Sequence, residues 1–257
     1  MCLIAWNWQP TSQTPLLLIA NRDEFFARPT APLAWWDDAG ILAGRDLQAG
    51  GTWLGVSRSG RLAALTNHRD PVNMRLDAPS RGELVSGFLQ SDTNARDYLN
   101  ALAAKAADYN SFNLLVFDGH SLLGLESRHA RVSTLQPGLG AVSNADFLTP
   151  WPKLTLLKNN LQALLAQTQP SDEQLLDLLH HQGVADDQDL PATGIGLALE
   201  RVLSSAFIAT PDYGTRACSI VRFEADHIRF LEQGFDAKGS IGIQQFAHRL
   251  SPTGIPA

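Results

Sequence analysis

The sequence predicts an α+β fold in which two antiparallel sheets are covered by helices on both sides. Strand-like and helical stretches come in blocks, in the order strands, helices, strands, helices, strands. Consecutive strand-like runs are joined by connections of hairpin length, which suit antiparallel pairing and are too short for parallel crossovers. The later helical blocks carry leucines at helical spacing, so each offers one apolar face for a sheet to cover.

Taken in order, residues 2–8 and 16–20 are apolar runs joined by Gln9-Pro10-Thr11-Ser12-Gln13-Thr14-Pro15, which has a hairpin loop's composition. Residues 21–40 read as irregular, with Pro29, Pro32 and the Trp35-Trp36-Asp37-Asp38 cluster. Residues 52–57 and 61–66 flank Arg58-Ser59-Gly60 as a second hairpin. Residues 80–108 read as two helical pieces, with Asp92 capping an Ala-rich stretch that runs to Tyr109. Strands follow at 113–117 and 121–126 around the turn Asp118-Gly119-His120, then at 131–135 and 140–143. Residues 153–168 are helical, and Ser171 with Gln174 forms a capping-box pattern before Leu175 and Leu176. Residues 217–223 and 227–231 close the chain as a strand pair. No repeat, low-complexity tract or linker interrupts this order, so residues 1–257 read as a single domain with residues 234–257 as a loosely ordered tail.

Composition narrows the function classes. The chain has 257 residues, 44% hydrophobic and 18% charged, enough to bury a substantial core. Its net charge is −6 and no Lys/Arg cluster breaks the surface, which argues against nucleic acid as a partner. Cys2 and Cys218 are the only cysteines, too few for a disulfide framework or a multi-cysteine zinc site. The N-terminus lacks a basic stretch, and the longest apolar runs fall far short of the roughly 20 residues a membrane span needs. The expectation is a soluble cytoplasmic protein without an integral membrane segment. Its oligomeric state is not legible.

Cys2 is the chemically suggestive residue. Removal of Met1 would put a thiol and a free α-amine on one residue, a nucleophile with its own general base. Against this, cysteine is also a common small buried hydrophobe. Asn21-Arg22-Asp23-Glu24 follows the second apolar run directly, and four polar residues there are costly to bury without partners. If the first two runs pair antiparallel, Asn21 and Arg22 return close to Cys2. A guanidinium there favours the thiolate, and a carboxylate holds the guanidinium or the amine in place. Other candidates are weaker. Gly194-Ile195-Gly196 lacks the third glycine of a dinucleotide loop, Asp186-Asp187-Gln188-Asp189 lacks the glycine and distal glutamate of a calcium loop, and neighbouring His180 and His181 point apart on a helix. Cys218 reads as a core residue, and no metal site is expected. The six tryptophans read as core, with those near the N-terminal motifs also suited to an apolar pocket.

Several motifs in sequence order resemble the NRDE family, also called the transport and Golgi organisation protein 2 family. They are Met1-Cys2-Leu3-Ile4, Asn21-Arg22-Asp23-Glu24-Phe25, Gly44-Arg45-Asp46, Gly50-Gly51-Thr52-Trp53-Leu54-Gly55 and Thr66-Asn67. Ser143-Asn144-Ala145, Thr149-Pro150-Trp151-Pro152-Lys153 and Tyr213-Gly214-Thr215-Arg216 continue the match, which spans roughly residues 1–223. That family in turn resembles N-terminal nucleophile (Ntn) hydrolases of the penicillin V acylase and bile-salt hydrolase type. The resemblance implies a four-layer αββα sandwich. It also implies that Cys2 attacks an amide carbonyl, Arg22 and Asp23 support it, and Asn144 donates to the oxyanion. Asn67 would be a second donor, and Arg216 would complete a charged ring. One departure stands out: in the acylases the arginine and aspartate are separated, whereas Arg22 and Asp23 are adjacent. Both face Cys2 only if the strand has already broken, and otherwise Asn21 or Glu24 takes the place of Asp23.

Two functions follow. One is a cysteine amidohydrolase acting on a small acyl or amide substrate, needing no cofactor. The other is a binding and transport protein on the same scaffold, for non-covalent haem or for acyl-CoA or lipid, as the family's associations imply. For haem, Cys2 and His68 are the candidate axial ligands.

Overall fold

The computed structural model describes residues 2–167 and 169–250. Along β1 (Cys2–Trp8) every residue except Asn7 is buried, and successive side chains take opposite faces. Cys2, Ile4, Trp6 and Trp8 enter one core cluster, while Leu3 and Ala5 enter another. A strand apolar on both faces must be covered on both. One side of its sheet packs on the second sheet, and the other on helices.

The first sheet has six strands in the order β10 (Gly138–Val142), β1, β2 (Leu16–Phe25), β11 (Tyr213–Phe223), β12 (His227–Asp236) and β13 (Gly239–Arg249). The second has seven in chain order: β3 (Thr30–Trp36), β4 (Ile41–Asp46), β5 (Leu54–Ser57), β6 (Leu62–Asn67), β7 (Phe112–Phe117), β8 (Leu122–Glu126) and β9 (Arg131–Thr134). All pairings between these strands are antiparallel. Trp6, Leu18, Leu62, Leu115 and Phe230 belong to the core between the sheets. Helices α1 (Gly82–Gln90) and α2 (Ala95–Ala103) cover the second sheet through Val85, Phe88 and Leu99. Helices α3 (Pro152–Leu165) and α4 (Asp172–Leu179) cover the first through Leu154, Leu161 and Leu175. The result is the expected αββα sandwich. Among the described residues no helix is long and apolar enough to cross a membrane.

One glycine sets the approach of β10 to β1. Gly140 pairs with Trp6, and a Cβ on Gly140 would lie 2.2 Å from the Trp6 ring. Only glycine lets the indole lie against the neighbouring strand there.

Three expectations are corrected, and one helix that was not read is added. The stretch 21–40 is not irregular: β2 runs on to Phe25 and β3 occupies Thr30–Trp36. The polar run stays in the strand because tertiary partners hold the Asn21 amide and one Asp23 oxygen, as described below. The cap of α2 is Asn94, whose side chain accepts from Asp97 N, rather than Asp92. Helix α5 (Leu197–Leu203) follows the glycine pair, and its exposed Leu197 and Leu199 gave no periodic signal. Finally, residues 234–249 form the end of β12 and all of β13, not a loose tail. β13 is an edge strand with most side chains exposed, so it lacks the alternation that marks a half-buried strand. Residues 251–257 lie outside the described residues.

Candidate active site

β1 and β2 pair in a register that sets Cys2 directly opposite Arg22. Cross-strand partners share a face, so both side chains project into the space between the sheets. Cys2 is 6% exposed and Arg22 is 9% exposed, and both line a cavity of about 440 Å³. Arg22 makes one ion pair, Nη2 to Glu24 Oε2 at 3.7 Å, and no hydrogen bond among the described residues. Burial pushes the Cys2 thiol up, and the Arg22 guanidinium acts against that, in the direction expected of it, without outweighing burial. The resting thiol is neutral and needs a base at the moment of attack.

Because β2 continues unbroken to Phe25, Asp23 follows Arg22 on the strand's alternate face, yet it still lines the cavity. Asp23 Oδ1 accepts from Thr215 Oγ1 at 2.8 Å, and Oδ2 lies 4.0 Å from Lys153 Nζ. Lys153 is 2% exposed, its Nζ has no hydrogen bond among the described residues, and burial lowers its pKa. Asn21 shares this side: its amide donates to the carbonyls of Leu179 and Ala206, each at 2.8 Å, tying β2 to the end of α4. Asn21 therefore holds a helix to the sheet and does not line the cavity.

Asn144 and Asn67 are joined, but not as two parallel donors. Asn144 is fully buried just past β10, and its Nδ2 donates to the Asn67 carbonyl at 2.8 Å. Next to it, Ser143 Oγ donates to the Cys2 carbonyl at 3.2 Å. These bonds tie the ends of β1, β6 and β10 together. Asn67 itself lines the cavity, and its side-chain amide makes no hydrogen bond among the described residues.

Arg216 borders the cavity at a bulge in β11, where it clamps the backbone. Its Nε donates to Phe235 O at 3.1 Å, Nη1 to the carbonyls of Phe25, Phe26 and Arg28, and Nη2 to Thr30 Oγ1. The guanidinium fixes the turn after β2 and is not a free charge beside the thiol. His68 lies outside the cavity, with Nε2 3.8 Å from Asp146 Oδ1.

Known sequences place this geometry. The profile of the family described as Transport and Golgi organisation 2 matches residues 1–237. The transport and Golgi organization protein 2 homolog of Bos taurus is 36% identical over 259 residues, covering 91% of this chain and 92% of that protein. The chain belongs to the transport and Golgi organisation 2 family. The Homo sapiens homolog is 34% identical over 260 residues, with the same coverage of both chains. The fold is similar to that of the C2A mutant of the conjugated bile acid hydrolase from Clostridium perfringens. That likeness has a TM-score of 0.53 at 9% identity, covering 96% of this chain and 92% of that one, and it is a likeness of fold alone.

Two cavity residues of this transport and Golgi organisation 2 chain escaped the sequence reading. Arg81 enters just before α1, where the backbone packs on the Gly50-Gly51-Thr52 motif. A Cβ on Gly51 would lie 2.5 Å from the Gly82 carbonyl carbon, so glycine is needed for that approach. The motif was legible, but not its partner 30 residues on. Glu232 comes from β12, 6% exposed, and its Oε1 accepts from Leu33 N of the facing sheet at 2.8 Å. Burial pushes its carboxyl up to about 7, against the Leu33 bond and the Arg22 charge.

That shift predicts a pH dependence. The folded state favours the protonated acid, so this stabilisation is complete below the ordinary value of 4.5 and lost as pH rises through about 7. Glu232→Gln keeps an acceptor for Leu33 N and does not titrate. Between pH 5 and pH 8 the unsubstituted protein should lose about 2–3 kcal/mol more stability than the variant, measured by denaturant unfolding at both pH values. Parallel curves would remove Glu232 as the titrating group.

Of the two residues named for haem, Cys2 lines the cavity and His68 does not, its ring being turned toward Asp146. Among the described residues the lining contains no histidine or tyrosine, and its other sulfur, Met74, stands 64% exposed at the rim.

Proposed function

We propose that this chain is an N-terminal-cysteine amidohydrolase acting on a small acyl or amide substrate. The observation that carries this reading is the register of Cys2 against Arg22 in a cavity that also presents the uncommitted amide of Asn67. Once Met1 is removed, the α-amine of Cys2 takes the thiol proton as sulfur bonds to the carbonyl carbon. Asn67 donates to the developing oxyanion, and removing such a donor typically costs 10²–10³ in rate. Arg22 adds a nearby positive charge. The proton passes to the leaving nitrogen as the C–N bond breaks, and water then cleaves the thioester and restores the thiol. Asn144 acts by holding Asn67 in place, while Asp23 and Arg216 build the wall. The solved bile acid hydrolase of like fold is a C2A mutant, altered at a cysteine with the same number.

A carrier for acyl-CoA, lipid or haem has one observation in its favour. Asn144 and Arg216, two polar groups implied for catalysis, are committed to backbone carbonyls.

Intact mass measurement of the untagged protein tests the first reading. It should show loss of one methionine, then a transient gain of one acyl group on incubation with an N-acyl p-nitroanilide. Native protein that retains Met1 has no free amine on Cys2 and would leave the carrier reading.

A further inference from the structure

Six arginines border the cavity, and four are committed. Arg28 pairs with Asp46 at 2.7 Å, Arg45 lies over the Trp36 ring at 4.3 Å, Arg75 donates to the carbonyls of Ala107 and Asp108, and Arg216 clamps its turn. Arg22 and Arg81 remain. Among the described residues Arg22, nine-tenths buried, makes no hydrogen bond beyond its 3.7 Å ion pair with Glu24, and Arg81 makes one, Nη1 to Ser111 O at 3.0 Å. Leaving guanidinium donors unanswered at a largely buried wall is costly, and an anion of carboxylate geometry would answer them. Arg81 lines the same cavity as Cys2 and Glu24.

The rim has the opposite character. Met74, Leu76 and Ile241 line the cavity while standing 64%, 94% and 61% exposed. They come from two separate segments, the loop before α1 and the edge strand β13. Exposed apolar groups that converge on one opening are characteristic of ligand grooves.

We propose that the substrate is an N-acyl amino acid whose carboxylate is anchored by Arg81 and whose acyl chain lies across Met74, Leu76 and Ile241. The inference rests on the amidohydrolase reading above. Cys2 sulfur bonds to the acyl carbon, the C–N bond breaks, and the thiol proton leaves on the amino acid's nitrogen. Water then adds to the acyl carbon, releasing the fatty acid and returning a proton to sulfur. Neutral amides of the same length lack the group that Arg81 holds.

The test compares hydrolysis of N-dodecanoylglycine with N-dodecanoylglycinamide, its uncharged twin, by the full untagged chain. A charge-assisted contact should favour the acid by roughly 10–100-fold in kcat/KM, mostly through KM. Arg81→Gln should bring the acid down toward the amide, lowering kcat/KM for the acid far more than for the amide, and Arg81→Lys should restore part of the difference. Equal use of both compounds, or an equal fall for both in Arg81→Gln, overturns the anchor. Isothermal titration of the same two compounds separates this failure from failure of the hydrolase reading. Tight binding of the acid over the amide without turnover keeps the anionic subsite and rejects the chemistry. Binding of neither compound rejects the substrate class.

Discussion

Cys2→Ala should abolish turnover, by at least about 10³-fold in kcat, while leaving the fold intact. The expectation follows from position and size. The thiol is buried at the cavity wall, and alanine removes only sulfur, so the loss of stability should stay within about 1 kcal/mol. Alanine also permits removal of Met1, so the variant keeps the free amine and tests the thiol alone. Cys2→Ser supplies a harder comparison. Its hydroxyl has the same base but is a weaker nucleophile, and any residual rate should fall well below wild type. Rates are read by release of amine from the N-acyl substrate, with circular dichroism confirming the fold. An alanine variant that still hydrolyses the amide at more than a few per cent of the wild-type rate would move the nucleophile elsewhere.

Asp23→Ala should cost about 3–5 kcal/mol of stability, because it strands a buried lysine. Lys153 Nζ has its nearest carboxylate oxygen 4.0 Å away on Asp23, and Thr215 Oγ1 loses its acceptor in the same stroke. The reciprocal change is not symmetrical. Lys153→Met fills similar volume and removes a charge whose burial already costs energy, so it should be far milder, and the double variant should recover much of the loss. Denaturant midpoints with unchanged m-values would establish this order. Equal penalties for the two single changes would contradict it. Activity lost from Asp23→Ala at wild-type stability would return the carboxylate to the chemistry.

The sandwich was legible because its blocks of strands and helices obey simple periodicities, and because the hairpin loops are short. The capping box at Ser171 and Gln174 formed as read, with both reciprocal bonds present. Cys2 opposite Arg22 was also legible, since two apolar runs joined by a short loop return the chain almost automatically. The engagement of the Asp23 carboxylate depended on whether the strand broke, and that was decided by distant partners: Thr215, Lys153 and the carbonyls of Leu179 and Ala206. No local signal announces such partners. Arg81 and Glu232 were missed for the same reason, as each reaches the cavity from an element far along the chain. β13 was missed because pairing through the backbone leaves no trace in side-chain pattern.

Cys2 is the first residue of β1, already paired with Arg22, while the register of the strand is set by everything after it. A purification tag ahead of Cys2 would bind its nitrogen into a peptide and abolish its basicity. The pairing of β1 with β2 and β10 would be undisturbed. Such a protein would fold, keep its cavity and take up its ligand, yet turn nothing over. An experimenter working with it would describe a carrier.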